Sequence, residues 1–270
     1  MQFEKKIVLG SAQFGMTYGI SNLTGIPNQA EINSLLDFAN LHKIKKIDSA
    51  HSYGDSEKKI GKYFKRKKKN FIITTKIELN EIPLKTQFKH SLKMLNCTNV
   101  NLLAHSFQTY ASNEFREVVD EGKNNGTILK HGVSLYEKSE IIKVLDMSFP
   151  PDIIQIPINI LDNRLYCDGI IKRLYQLKIR IQARSIFLQG LFYLPGKIWK
   201  NKYSQAYNTL KNLKELAGIA NLSLSEFSLL WVNSIREISE IIIGVENKEQ
   251  LLHHIILLKK KVDDDIFREA

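Results

Sequence analysis

Four residues have types that could share one reaction: Asp48, Tyr53, Lys76 and His105. A phenol with a pKa near 10 is a poor acid at neutrality. A neighbouring ammonium favours phenolate and lowers that pKa. A carboxylate can hold the ammonium in place, and an imidazole can donate a hydrogen bond to a carbonyl oxygen and orient it. Such a set delivers a proton to an oxygen on which charge develops as a hydride reaches the adjacent carbon. Acid–base catalysis of this kind contributes roughly 10²–10⁴-fold, and it needs no metal. Singly, each residue has a plainer use: a Tyr after a strand packs, and a Lys at a strand end is solvated. Only their convergence makes a site.

Convergence requires a scaffold. Short β-branched runs recur: "KIVLGSA" (6–12), "IKKIDSA" (44–50), "FIITTKI" (71–77), "VNLLAHS" (100–106), "LKHGVSLY" (129–136), "IIQIPINI" (153–160), "KIRIQARS" (178–185) and "EIIIGVE" (240–246). They have strand length. Between them lie stretches of helical period, such as 28–43, 85–96, 114–126, 139–147, 173–178, 223–235 and 247–261. Eight strands, each followed by a helical segment, predict an α/β chain folded as one (β/α)8 TIM barrel over residues 1–270. Right-handed crossovers make the strands parallel. The rival is an open doubly wound sheet, but "LGSAQFG" after the first strand is no GxGxxG, and eight repeats favour closure. The stretch 190–222 is the least regular; it predicts a long loop after strand seven and an extra helix in "YSQAYNTLKNLKELAG". Barrel strands end at the active face. Asp48 and Tyr53 follow strand two, Lys76 ends strand three and His105 ends strand four, so all four meet at one mouth.

Composition narrows the classes. Hydrophobic residues make up 43% and charged residues 25%, a globular balance. No apolar run approaches the ~20 residues of a membrane span, and "MQFEKKIVLG" has no signal-peptide pattern, so a cytoplasmic location is expected. Cys97 and Cys167 have neither metal nor CxxC spacing. The net charge of +11 is concentrated in runs such as "KRKKK" (65–69) and "KKK" (259–261), the latter answered by "DDD" (263–265). No aromatics interleave with them, so they predict a solvated face and no nucleic-acid binding. In a barrel the first run lies on the bottom face, away from the mouth.

The segments "LGSAQFGMTYG", "IDSAHSYGDSEKKIG", "ITTKI", "NLLAHS", "HGVSLY", "IIQIPINILD", "ARSIFLQGLF" and "IIIGVENKEQL" resemble the aldo-keto reductase family, in order and over nearly the whole chain. The resemblance implies a barrel that binds a nicotinamide cofactor at its C-terminal face. It implies Tyr53 as general acid, tuned by Lys76 and Asp48, with His105 orienting the carbonyl. Ser134 and Gln155 match the family's carboxamide-binding positions, with Leu135 where an Asn is usual. The aromatic residue that often stacks on the nicotinamide is Arg184 here. A guanidinium plane can also stack on a ring, though its charge disfavours the oxidised, cationic form. Ser185, Leu188 and Gly190 match a loop against the pyrophosphate. The backbone of Gly244, Val245, Glu246 and Asn247 should cradle the adenosine phosphate at a helix N-terminus, with Lys248 among the coenzyme-binding residues and Gln250 facing the adenine. His254 falls near a position where the family often has an Asn. NADPH is the expected coenzyme, with NADH as the alternative, because "GVENKEQL" offers both Glu246 and Lys248 near the ribose.

Relatives often begin with a hairpin that closes the barrel bottom. Residues 1–6 leave no room for one, so Met1 and Phe3, or another chain, would close it. Phe14, Tyr18, His51 and Phe107, with Met16 and Phe192, are the candidate substrate contacts over the mouth. "GSAQFGMTYGISN" and "ARSIFLQGL" resemble the branch found with bacterial surface-saccharide pathways, which implies a sugar or sugar-nucleotide carbonyl as the small-molecule partner. Two other classes stand beside this carbonyl reductase. One is a coenzyme-binding regulatory or scaffold protein with little turnover, distinguished by coenzyme binding without consumption. The other is a charge-driven polyanion binder, distinguished by steep salt dependence.

Overall fold

A computed structural model describes residues 6–67, 71–260 and 267. Its elements alternate as the apolar runs require. They are β1 (Ile7–Gly10), α1 (Ala12–Gly15), α2 (Gln29–Leu41), β2 (Lys46–Asp48), α3 (Ser56–Arg66), β3 (Ile72–Ile77), α4 (Leu84–Leu95), β4 (Val100–Ala104), α5 (Phe107–Ala111) and α6 (Asn113–Asn124). Then follow β5 (Ile128–Ser134), α7 (Lys138–Leu145), β6 (Ile153–Pro157), α8 (Arg164–Cys167), α9 (Ile170–Gln176), β7 (Arg180–Arg184), α10 (Gly196–Lys202), α11 (Tyr207–Ile219), α12 (Leu224–Ser234), β8 (Glu240–Gly244) and α13 (Lys248–Leu257).

The eight strands pair in parallel, each with the next, and close where β1 meets β8. There Ile7 lies opposite Ile241 and Gly10 opposite Gly244. Closure explains why the strands read as near-continuous apolar runs: one face lines the barrel, the other packs on helices. Helix entry is set by side-chain caps. Asn28, Ser223 and Asn247 accept backbone N–H groups at the starts of α2, α12 and α13, which satisfies donors that otherwise have no intrahelical partner. Gly61 lets α3 approach α4, since a Cβ there would fall 1.8 Å from the Met94 carbonyl oxygen.

The predicted (β/α)8 barrel is the observed fold, a closed parallel barrel in a single domain. The irregular stretch after strand seven holds more helix than its sequence pattern predicts. A 3-10 turn (Leu188–Tyr193) leads to α10, which is anchored by one buried residue, Trp199, whose Nε1 donates to the Leu191 carbonyl at 2.9 Å. One anchor in seven residues leaves no period to read. The basic run at 65–69 begins in the last turn of α3, where Arg66 and Lys67 pair with Asp37 of α2 at 3.4 and 2.6 Å. Lys68 and Lys69, the proposed closure by Met1 and Phe3, and most of the 259–265 charge run lie outside the described residues. Among the described residues no helix is long and apolar enough to cross a membrane.

Candidate active site

Strand register places the acid and the amine. Asp48 ends β2 and Lys76 lies near the end of β3, both facing the barrel interior. Lys76 Nζ sits 2.6 Å from Asp48 Oδ2 and donates to the Ser49 carbonyl at 2.8 Å. The pair is buried, with side-chain exposures of 0% and 5%. Burying either charge alone would be costly, so each is the condition for the other.

Tyr53 sits on the turn between β2 and α3. Its backbone N–H bonds to the Ala50 carbonyl at 3.1 Å, and its carbonyl accepts from Ser56 at 3.0 Å. Gly54 turns the chain with φ of +53, a conformation that favours glycine. Gly15, at the end of α1, backs the turn so closely that a Cβ there would lie 1.8 Å from the Tyr53 carbonyl oxygen. The hydroxyls of Ser11, Ser49 and Ser56 form a buried cluster beneath, with Oγ–Oγ distances of 2.8 Å (Ser56–Ser11) and 3.2 Å (Ser49–Ser56). The result brings Lys76 Nζ to 5.2 Å from the centre of the phenol ring.

His105 follows β4, its N–H bonded to the Ile77 carbonyl at 2.9 Å. Its ring lies edge-on to Tyr53 with centroids 5.9 Å apart. Nδ1 faces the Ser52 hydroxyl at 3.4 Å and Glu78 at 3.7 Å. Burial, with Lys76 and Arg184 adding to it, pushes the imidazole down to about 3, so the ring is neutral throughout the neutral range.

Asp48, Tyr53 and His105 open onto a cavity of about 440 Å³ at the C-terminal mouth, with Lys76 buried behind them. Ser134, Gln155, Arg184, Ser185, Gly190, Gly244, Glu246 and Gln250 share its wall, as does Tyr18. The loop after β1 meets the loop after β7 across it: the Ile20 N–H bonds to the Gln189 carbonyl at 2.7 Å.

Several expected contacts lie elsewhere. Phe14 is fully buried in the core because α1 turns its ring inward. His51 points outward between α3 and α4, with Nδ1 4.0 Å from Glu57 Oε2, 3.3 Å from Ser91 Oγ and its ring edge-on to His90. Phe107 starts α5 and packs against the core, with Lys143 over its ring. None of the three lines the cavity. The side chain of Val245 is in the core and that of Asn247 caps α13, which leaves their backbone as the part that could face a phosphate. Leu188 packs against the core, and neither it nor Lys248 reaches the cavity wall. His254 is buried and stacked on Phe187 with centroids 5.1 Å apart. Met16 is not part of the wall, and Phe192 is buried. Conversely, Gln13, Ser21, Tyr136, Phe187 and Tyr193 line the cavity without a spacing signal. The proximity of Gln13 and Tyr136 to strand ends was the one clue available.

Beneath the mouth, polar side chains run down the barrel axis. Gln155 Nε2 donates to Asp48 Oδ1 at 2.8 Å and to Gln182 Oε1 at 3.0 Å. Gln182 Nε2 donates to Glu240 Oε2 at 2.6 Å. Glu240, at the start of β8, pairs with Lys46 at 2.5 Å and Arg180 at 3.4 Å. Each amide is thereby oriented, because a carboxylate can only accept.

That orientation bears on whether a nicotinamide coenzyme suits the cavity. Both N–H groups of Gln155 are engaged, which leaves its carbonyl as the acceptor. Ser134 lies beside it in register and accepts from Arg184 Nε at 3.2 Å, so its own O–H remains to donate. An acceptor beside a donor matches a primary carboxamide. Two glycines of the wall pack closely on other wall residues: a Cβ at Gly244 would fall 2.4 Å from Gln13 Nε2, and one at Gly190 would fall 2.0 Å from Ser21 Oγ. The residues present fit the group.

The sequence profile of the Aldo/keto reductase family matches residues 6–269, and the chain belongs to that family. Family membership supports an oxidoreductase acting on small carbonyl compounds. Two solved structures illustrate the likeness in fold. The thermostable aldo-keto reductase Tm1743, solved with the inhibitor epalrestat, is 22% identical with a TM-score of 0.75, covering 98% of this chain and 93% of that one. PA4992 from Pseudomonas aeruginosa, described as an aldo-keto reductase, is 18% identical with a TM-score of 0.71, covering 94% and 89%. No curated protein matches.

Proposed function

We propose that this chain is a cytoplasmic, nicotinamide-dependent carbonyl reductase that converts an aldehyde, ketone or sugar carbonyl to an alcohol. The observation that carries the reading is the buried Asp48–Lys76 pair at 2.6 Å, set 5.2 Å behind the Tyr53 ring at a cavity shared with His105. When bound, the coenzyme supplies the hydride that reaches the carbonyl carbon. Tyr53 gives its phenolic proton to the carbonyl oxygen. Lys76 stabilises the phenolate left behind, and its charge is already fixed by Asp48 and the Ser49 carbonyl, so no reorganisation is needed as the proton moves. The neutral ring of His105 orients the carbonyl by hydrogen bonding. With the Ser52 hydroxyl 3.4 Å from Nδ1, the tautomer that takes its hydrogen bond there carries the proton on Nε2 and can donate to the substrate.

Gln155 and Ser134 would hold the carboxamide. Ser185, Gly190 and Gly244 would lie along the phosphates, and Gln250 would lie toward the adenine. NADPH is the family's frequent coenzyme. Glu246 in the cavity wall, with Lys248 outside it, argues instead for a free ribose 2′-hydroxyl and thus for NADH. The substrate we favour is a sugar or sugar nucleotide, as in surface-saccharide metabolism, because the wall offers many polar groups around the tetrad.

The test follows loss of reduced-nicotinamide absorbance, with each coenzyme, against a panel of simple aldehydes and sugar carbonyls. Tyr53→Phe should lower kcat by roughly 10²–10⁴-fold with coenzyme affinity unchanged. A Tyr53→Phe protein with full turnover would remove the mechanism.

A further inference from the structure

We propose that Arg184 makes this cavity select reduced over oxidised nicotinamide coenzyme, so that the site fills with the reduced form when both are present. This rests on the nicotinamide reading above and goes beyond it. Arg184 closes β7 at the mouth. Its Nε donates to Ser134 Oγ at 3.2 Å, Nη1 to Ser185 Oγ at 3.3 Å and Nη2 to the Leu135 carbonyl at 3.4 Å. One face of the guanidinium stacks on the Tyr136 ring at 4.0 Å. All these partners are neutral. Among the described residues no carboxylate lies within ion-pair distance of it.

The other charges near the chemistry cancel, are screened or are absent. Glu78 lies 3.7 Å from His105 Nδ1, but its side chain is 42% exposed and is not part of the cavity wall, so solvent screens it. Asp48 is matched by Lys76. His105 is neutral, and the guanidinium is one reason for that, so its field reaches the group facing the carbonyl. The remaining acid of the wall, Glu246, belongs to the corner between β8 and α13, where it meets Thr24 at 3.4 Å. The groups that line the reacting end therefore carry a net positive charge.

A hydride donor must come within about 3–3.5 Å of the carbonyl carbon, and that carbon sits beside Tyr53 and His105. Arg184 shares the same cavity of about 440 Å³, roughly 9 Å across if spherical, within the size range of small-molecule sites. The two coenzyme states differ by one positive charge on the ring. Their phosphates attract Arg184 equally and drop out of the ratio of affinities. Two like charges about 8 Å apart at an effective dielectric of about 20 shift that ratio by about 30-fold. Partial exposure of the guanidinium reduces this to on the order of 10-fold.

Dissociation constants for NADH, NAD⁺, NADPH and NADP⁺ are measured by calorimetry without substrate, for wild type, Arg184→Lys and Arg184→Gln. In the preferred pair, wild type should bind the reduced form about 10-fold more tightly. Arg184→Lys should keep that ratio, and Arg184→Gln should bring it to within about two-fold of unity. Raising the salt should shrink the wild-type ratio, which keeps the test decisive even if the Gln variant does not fold. An unchanged ratio in Arg184→Gln, equal wild-type affinities, or a ratio indifferent to salt would each overturn the inference while leaving the nicotinamide reading intact. Failure of wild type to bind any of the four would overturn the nicotinamide reading itself.

Discussion

Lys76→Met separates what the buried amine does for folding from what it does for chemistry. The substitution leaves Asp48 only 3% exposed, without the cation 2.6 Å away and with a single remaining donor, Gln155 Nε2. Breaking a buried pair by removing one partner costs about 3–5 kcal/mol. For a barrel of this size that corresponds to a Tm lower by roughly 5–9 °C. Adding Asp48→Asn removes the stranded charge, while Asn can still accept from Gln155. The double variant should therefore recover most of the lost Tm. Turnover should not follow, because nothing then stabilises the Tyr53 phenolate; both variants should remain roughly 10²–10⁴-fold below wild type. Thermal denaturation and single-turnover reduction, measured side by side, provide the assay. A double variant as unstable as the single one would refute the stranded-charge argument. A double variant that regained turnover along with Tm would show Lys76 to be structural only.

Gly15→Ala should push the Tyr53 turn, since its Cβ would meet the Tyr53 carbonyl oxygen at 1.8 Å and the Ser56 nitrogen at 2.4 Å. We expect kcat to fall, while Gly218→Ala, in open space on α11, leaves kcat alone and stabilises the helix by about 1 kcal/mol. Equal kinetics for the two would contradict this packing. Acid should destabilise the fold through His254, which burial, with His253 adding to it, pushes down to about 4. The native state refuses a proton that the unfolded chain accepts near 6.5, so stability is full above that value and is lost as pH falls toward 4. By pH 5 the loss is about 2 kcal/mol, and a His254→Asn variant should show a flatter denaturation profile between pH 7 and 5. His105 adds to the slope in the same direction.

The barrel was readable because closure imposes one pattern eight times, and β-branched runs bounded by turn residues are difficult to mistake. Asp48 and Lys76 stood out because ionisable residues at the ends of buried strands need a partner, and register supplies it. Phe14 misled because nothing in "GSAQFGMTYG" tells that α1 rolls the ring inward. The four-residue helix α8 and the seven-residue α10 escaped because neither completes enough turns to show a period. Tyr136 and Gln13 escaped because a loop side chain has no alternation to fix its direction.

The column from Asp48 through Gln155 and Gln182 to Glu240 has a design consequence. Its two amides are keyed like links with a head and a tail, so neither can be reversed without setting oxygen against oxygen at an acid. Anyone transplanting new loops onto this scaffold must therefore keep the floor at Lys46, Arg180 and Glu240 as faithfully as the rim.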